Sequence, residues 1–192
     1  MKTNEPTRTN AIWIGLLAMS LFAILEARAG DSSGKTNSMP QRIGIYDSRV
    51  VAFGSFWSEA HQRALNGRMK AAKEAQAAGD TNRFIELKAA VKAEQKKVHL
   101  QVFSSAPVDD VLAGMKDRVQ AIQKEAGVSQ LVSKWDEKIL AEHKNDEKVD
   151  VTDLFLRDFK LNERQRKIVV DMRKKPPVPL EEAEELMRKG KL

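Results

Sequence analysis

The 192-residue chain contains no cysteine. That excludes disulfides, thiolate zinc sites, iron–sulfur ligation and thiol nucleophiles together. Tyrosine occurs once and aromatic residues make up 6% of the chain, few for a thick core. Catalytic signatures are missing as well: there is no H-E-x-x-H, no G-x-S-x-G, no P-loop and no G-x-G-x-x-G. The three histidines, His61, His99 and His143, have no metal-ligand spacing and read as ordinary helix or loop residues. Asp109-Asp110 reads as a pair placed by helix N-terminal electrostatics rather than as an acid–base pair. Asp146, Asp150 and Asp153 lack the glycine and terminal glutamate of an EF-hand. No catalytic residue, metal ligand or cofactor is therefore assigned, and the chain does not read as an enzyme.

What is present is charge. The chain is 31% charged and 42% hydrophobic, so neither collagen-like nor fully disordered. Its 33 Lys+Arg against 27 Asp+Glu give a net charge of +6. Such an excess suits acidic partners (nucleic acid, anionic lipid headgroups, acidic proteins) without choosing among them. This balance suits long, solvated helices.

The N-terminus reads as an export signal. Lys2 and Arg8 precede an uncharged 15-residue run, AIWIGLLAMSLFAIL at 11–25, followed by Ala27-Arg28-Ala29. A basic region, an apolar run and a small-x-small site together form a secretory signal peptide. As a helix the run spans roughly 22 Å, short of the ~30 Å hydrocarbon core. The reading is cleavage after Ala29, with an uncleaved anchor as the alternative. Cleavage leaves 30 Lys+Arg against 25 Asp+Glu, a net charge of +5. No cysteine follows the run, which argues against a lipoprotein. Residues 30–41 read as a flexible linker.

Beyond the linker, RIGIYDS (42–48) reads as a strand, with Asp47 or Ser48 capping a helix over 49–78. Ala78-Gly79-Asp80-Thr81 stops that helix and starts a second near Asn82, which makes an αα-hairpin. The second helix carries an apolar stripe, Phe84, Leu87, Val91, Val98 and Val102. Lys88, Lys92 and Lys96, four residues apart, form a basic stripe beside it. Ser104-Ser105-Ala106-Pro107 is a break, with Ser104 or Ser105 capping a restart that runs to Gly127. VSQLVS (128–133) reads as a second strand, KILA (138–141) as a third, and HKNDEK (143–148) as a loop. A short helix follows, capped by Asp150 or Thr152, with Leu154, Phe155 and Phe159 as its apolar face. The tail, 161–192, reads as two helices around Pro176-Pro177-Val178-Pro179, the first with Asn162 and Gln165 at capping-box spacing.

The order of these elements resembles the Skp/OmpH family of periplasmic chaperones over residues 42–160. The likeness rests on RIGIYDSRVV (42–51), QKEAGVSQLVSKWDEKILA (123–141) and KVDVTDLFLRDF (148–159). The resemblance implies a mostly α fold with a small β body (α+β), from which a long antiparallel helical hairpin (about 49–126) projects. It implies a homotrimer whose body here would use Ile43, Ile45, Val128, Leu131, Val132 and Ile139. The implied function is an ATP-independent holdase for unfolded outer-membrane or envelope proteins in the periplasm. Clients would meet Phe84, Leu87, Lys88, Val91, Lys92, Lys96 and Val98, with anionic lipid headgroups as a further partner and no nucleic acid. The alternative is a non-catalytic envelope adaptor on the same fold, whose C-terminal tail docks a partner.

Overall fold

The structure, a computed structural model, describes residues 41–191. The apolar run 11–25, the small-x-small site and all of the linker but Gln41 lie outside the described residues. Alternating Ile43 and Ile45 build strand β1 (Arg42–Tyr46). Asp47 then accepts the Arg49 backbone N–H and starts helix α1 (Ser48–Trp57), whose first seven residues are buried. The helix read over 49–78 is divided. Ser58 is extended (φ −61°, ψ 146°), and its hydroxyl accepts the His61 N–H to start α2 (Glu59–Ala77). A serine side chain competes with the helical backbone for hydrogen bonds, so it serves better as a cap than inside a helix.

Gly79 ends α2 in the left-handed region (φ +74°), a conformation open to glycine at no steric cost. Asp80 caps α3 (Thr81–Phe103) by accepting the Arg83 N–H at 3.0 Å. Helices α2 and α3 pack against one another. The break after α3 differs from the expectation. Ser104 does not cap a restart; its hydroxyl donates to the Leu100 carbonyl at 2.6 Å and accepts the Ala106 N–H at 3.1 Å. The restart has no side-chain cap and is itself split into α4 (Asp109–Ala113) and α5 (Lys116–Ala126) around Gly114-Met115. Gly127 ends α5 at φ +63°, as its position suggested.

Strand β2 is only Leu131–Ser133. KILA is not a strand: Asp136 accepts the Ile139 N–H and the segment becomes α6 (Glu137–Glu142). A short apolar run has no periodicity that separates helix from strand, and here the cap decides. Ile139 is thus on a helix, and exposed. The third strand is instead β3 (Glu147–Asp150), partly in what reads as a loop. Its single apolar residue, Val149, gives almost no strand signal; backbone pairing with β1 makes it a strand. All pairing is parallel in the order β2-β1-β3, with Ile45 opposite both Val132 and Asp150.

Helix α7 (Thr152–Leu156) follows β3, with Phe155 buried on it. Asn162 and Gln165 form the anticipated capping box at the start of α8 (Glu163–Arg173). The Pro-rich stop leads to α9 (Leu180–Arg188). Two backbone hydrogen bonds tie that stop to the end of α3: Val178 N–H to Phe103 carbonyl and Ser105 N–H to Val178 carbonyl, both 3.1 Å. Leu161 and Val169 join Tyr46, Val50, Val51, Phe53, Val108, Ile122, Val151, Phe155 and Phe159 in one core. Each large apolar side chain buried there contributes about 1.5–3 kcal/mol. Ile43, Val128 and Val132 are already buried within this chain, while Ile45 and Leu131 are half-buried. The described residues are thus mostly helical with a small three-stranded parallel sheet, the α+β class read from the sequence. None of their helices is long and apolar enough to cross a membrane.

Candidate functional site: an apolar groove with a basic rim

The last turn of α1 carries Phe53, Phe56 and Trp57, spaced three and four apart. The last two turns of α3 carry Lys96, His99, Val102 and Phe103. With the end of α9 these line a groove of about 710 Å³. The aromatic groups contact one another: the Phe56 and Trp57 rings lie 5.2 Å apart edge-on, and Phe53 and Trp57 6.4 Å apart. His99 stands edge-on to Phe103 at 5.7 Å. Trp57 is 42% exposed and Phe103 49%, so large apolar surface is left open to solvent. Exposed apolar surface gathered in one place is a recognised mark of a binding site.

The groove's charged residues are all cations: Lys92 and Lys96 from α3 and Arg188 from α9. Among the described residues, no carboxylate lines it. Nearby cations are neutralised, Lys97 by Asp110 and Lys189 by Glu185. Among the described residues, Lys92, Lys96 and Arg188 form no ion pair. These three cations are the groove's charged rim.

The seven residues expected to meet clients divide in the structure. Lys92, Lys96 and Val98 line the groove. Lys88 does not; its ammonium lies 5.6 Å over the Phe84 ring, a cation–π pair on the α3 surface. Val91 is half-buried. Leu87 is buried and presents little surface to a client. The apolar stripe read as one continuous surface is thus partly core and partly groove. Trp57, Phe103, Met187 and Arg188 were not singled out from the sequence. Trp57 gave a signal as an apolar residue at helical spacing; Met187 and Arg188 gave none, because only the return of the tail brings them to α3.

A polar cluster not foreseen sits at the carboxyl ends of the strands. Asp47 is fully buried. Its Oδ1 accepts from Arg49 Nε (3.1 Å) and Trp135 Nε1 (2.9 Å), and its Oδ2 from Arg49 Nη2 (3.0 Å) and Lys134 Nζ (2.9 Å). The Asp47 N–H donates to Thr152 Oγ1 at 3.0 Å. Arg49 stacks over the Trp135 ring at 4.8 Å and donates to the Met172 carbonyl at 3.1 Å. Burial pushes the Asp47 carboxyl up. The hydrogen bonds from Arg49, Trp135 and Lys134 outweigh it and hold the group below the usual carboxylate range. Both carboxylate oxygens are engaged, so the cluster ties the end of β1 to the segment after β2, to α7 and to α8.

The other polar residues weighed from the sequence are also engaged. Asp110 accepts from Gln101 and pairs with Lys97, and these contacts hold it below its ordinary range against the opposing effect of burial. Asp150 and Asp153 pair with Arg173, and Asp146 with His143. Among the described residues, no three or more His, Asp or Glu side chains are grouped to hold a metal. No family model matches the chain, and neither the curated proteins nor the solved structures give a significant match.

Proposed function

We propose that the chain is an exported, ATP-independent holdase-like chaperone for unfolded outer-membrane or envelope proteins, acting in the periplasm. The observation that carries this reading is the aromatic groove with its unpaired rim of Lys92, Lys96 and Arg188. Apolar side chains of an unfolded client would enter between α1 and α3, and carboxylates beside them would lie against the rim. Long-range attraction by the basic surface would raise the rate of encounter with acidic clients and with anionic lipid headgroups. No nucleotide and no catalytic group has a part in this mechanism.

The second part of the proposal is architectural. Helices α2 and α3 would act as an antiparallel hairpin projecting from the sheet, in a homotrimer assembled through the body around β1 and β2. Light scattering on the purified protein tests it: a native mass of three chains supports the assembly, and a mass of one chain removes it. A tail-docking adaptor is the competing reading. Since α9 packs on α3, such a docking role would have to use the outward acidic face of α9, Glu181, Glu182 and Glu185. Replacing Glu181 and Glu182 by Lys separates the two: the adaptor reading predicts loss of the docked partner, while the groove and its rim of Lys92, Lys96 and Arg188 are left in place and suppression of aggregation is unchanged.

A further inference from the structure

The groove between α1 and α3 has two unlike ends. Lys92 and Lys96 stand at the earlier end of the α3 lining, and Val102 and Phe103 close the later one. The Val178 N–H donates to the Phe103 carbonyl, so α9 starts beside the end of α3, and from there it packs back along that helix. Its last turn, with Met187 and Arg188, is thereby carried away from Phe103 toward the lysines. Phe53 and Val102 are buried and belong to the core, which makes them the floor. Trp57 and Phe103 are exposed and form the walls. One end is therefore cationic and the other apolar.

The groove is also longer than a single ring. From Lys92 to Phe103 its lining covers roughly 16 Å of α3, at about 1.5 Å per residue. An extended chain advances about 3.5 Å per three bonds, so ten carbons in line cover roughly 10 Å. The walls are helices, whose interior amides and carbonyls pair within the helix. They offer an occupant apolar contact and positive charge, with Gln95 and His99 as the uncharged polar side chains among the described residues. Lys96 also borders a neighbouring cleft that Glu184 lines, but among the described residues the two form no ion pair. An apolar site of this volume with a few polar groups at one end has the make-up of a small-molecule site.

We infer that the groove binds a single-chain anionic amphiphile of the fatty-acid type. The chain lies over Phe53, Val98 and Val102 between Trp57 and Phe103, and the carboxylate stands among Lys92, Lys96 and Arg188. A neutral chain of the same length would gain the apolar contact and forgo the charge; an ammonium would face three cations. Single exposed ion pairs are weak, so the three cations together give about a tenfold preference. The inference uses the groove of the proposed function without resting on that function.

The test is titration of the ¹⁵N-labelled full chain at neutral pH and low salt with decanoate, 1-decanol, decylammonium and butanoate, each below its micelle or solubility limit. Decanoate should move the indole N–H signal of Trp57 and the amide signals of His99, Phe103 and Met187, with a Kd on the order of 0.1 mM. The indole N–H signal of Trp135, which donates to Asp47, should stay in place. Decanol should bind about tenfold more weakly, and decylammonium more weakly still. Butanoate keeps the head and loses most of the chain, and should bind at least about tenfold more weakly than decanoate. Lys92→Gln with Lys96→Gln should erase the preference for decanoate over decanol. High salt should shrink the same preference in the unaltered chain, so the result does not hang on a variant's folding. Equal binding of decanoate and decanol, preference for decylammonium, or no shift at Trp57, His99 and Phe103 overturns the inference. No client is present in this titration, so its failure leaves the holdase reading standing, and failure of the holdase reading leaves the titration result unchanged.

Discussion

The indole N–H of Trp135 donates to Asp47 Oδ1 over 2.9 Å, joining the second residue past β2 to the first residue past β1. That is the carboxyl end of a parallel sheet, where open α/β folds commonly place a ligand. Here the chain fills the position with its own Arg49, Lys134 and Trp135. Asp47→Asn leaves two cations there without their counter-charge and should cost about 3–5 kcal/mol. Trp135→Phe removes one donor and should cost about 1 kcal/mol. Urea unfolding at pH 7 measures both. The sign with pH follows from the lowered Asp47 pKa: its contribution is present above the unfolded carboxyl pKa of about 4 and is lost as pH falls through the folded value. The gap between the unaltered chain and Asp47→Asn should therefore close below about pH 4.

Tyr46 is the only tyrosine in the chain, which makes it a clean probe. It is buried against Phe155, with ring centres 5.4 Å apart. Burial, and then the charges of Asp109 and Asp136, push its hydroxyl up to about 12. Tyrosinate absorbance of the folded protein should appear only near that pH and in the unfolded protein near 10. Because the folded value is raised, the associated stability is full below pH ~10 and is lost between there and the folded value. Titration with a midpoint near 10 while circular dichroism still reports a folded chain would show that Tyr46 is not enclosed as described.

Two glycines should respond oppositely to alanine. A Cβ on Gly54 would lie 2.1 Å from Phe159 Cδ2, inside the core. The ring and its neighbours must move, so Gly54→Ala should cost about 1–3 kcal/mol or more. Gly67 lies within α2 with nothing within 4 Å of the added carbon. Gly67→Ala should stabilise by roughly 0.5–1 kcal/mol through helix propensity and a less free unfolded chain. Thermal unfolding of both variants checks the packing of α1 on the segment after α7.

The basic stripe should act unevenly. Lys92→Glu with Lys96→Glu places carboxylates on the groove rim and should reduce capture of an acidic unfolded client about tenfold at low salt, with the difference fading at high salt. Lys88→Glu alone should change capture by less than about twofold, since that ammonium lies over Phe84 outside the groove. Equal effects of the two replacements would show that the stripe acts as a diffuse field.

The sequence announced those parts of the fold that local chemistry decides. Asp47, Asp80, Gly79, Gly127 and the Asn162–Gln165 box all act where their residue types and spacing place them. Ser58 and Ser104 did not reveal their roles. A serine inside a helical pattern looks the same whether it stays helical, caps a new helix or turns back on the last one. β3 was hidden because its strand character comes from β1, distant in sequence. Of the candidate site, the lysines and Val98 were legible from their period. The groove was not, since it needs the end of α1 beside the end of α3, with α9 folded back upon them.

The central claim is that the groove gives the chain holdase activity, and suppression of client aggregation tests it most directly. An unfolded, acidic outer-membrane protein is diluted from denaturant, and light scattering is followed with the full chain or with Trp57→Ser/Phe103→Ser, both altered side chains being solvent-exposed. The account predicts that the unaltered chain suppresses scattering without nucleotide and that the double variant, folded by circular dichroism, loses most of that effect. Scattering unaffected by the unaltered chain, or suppressed equally by the folded variant, would contradict it.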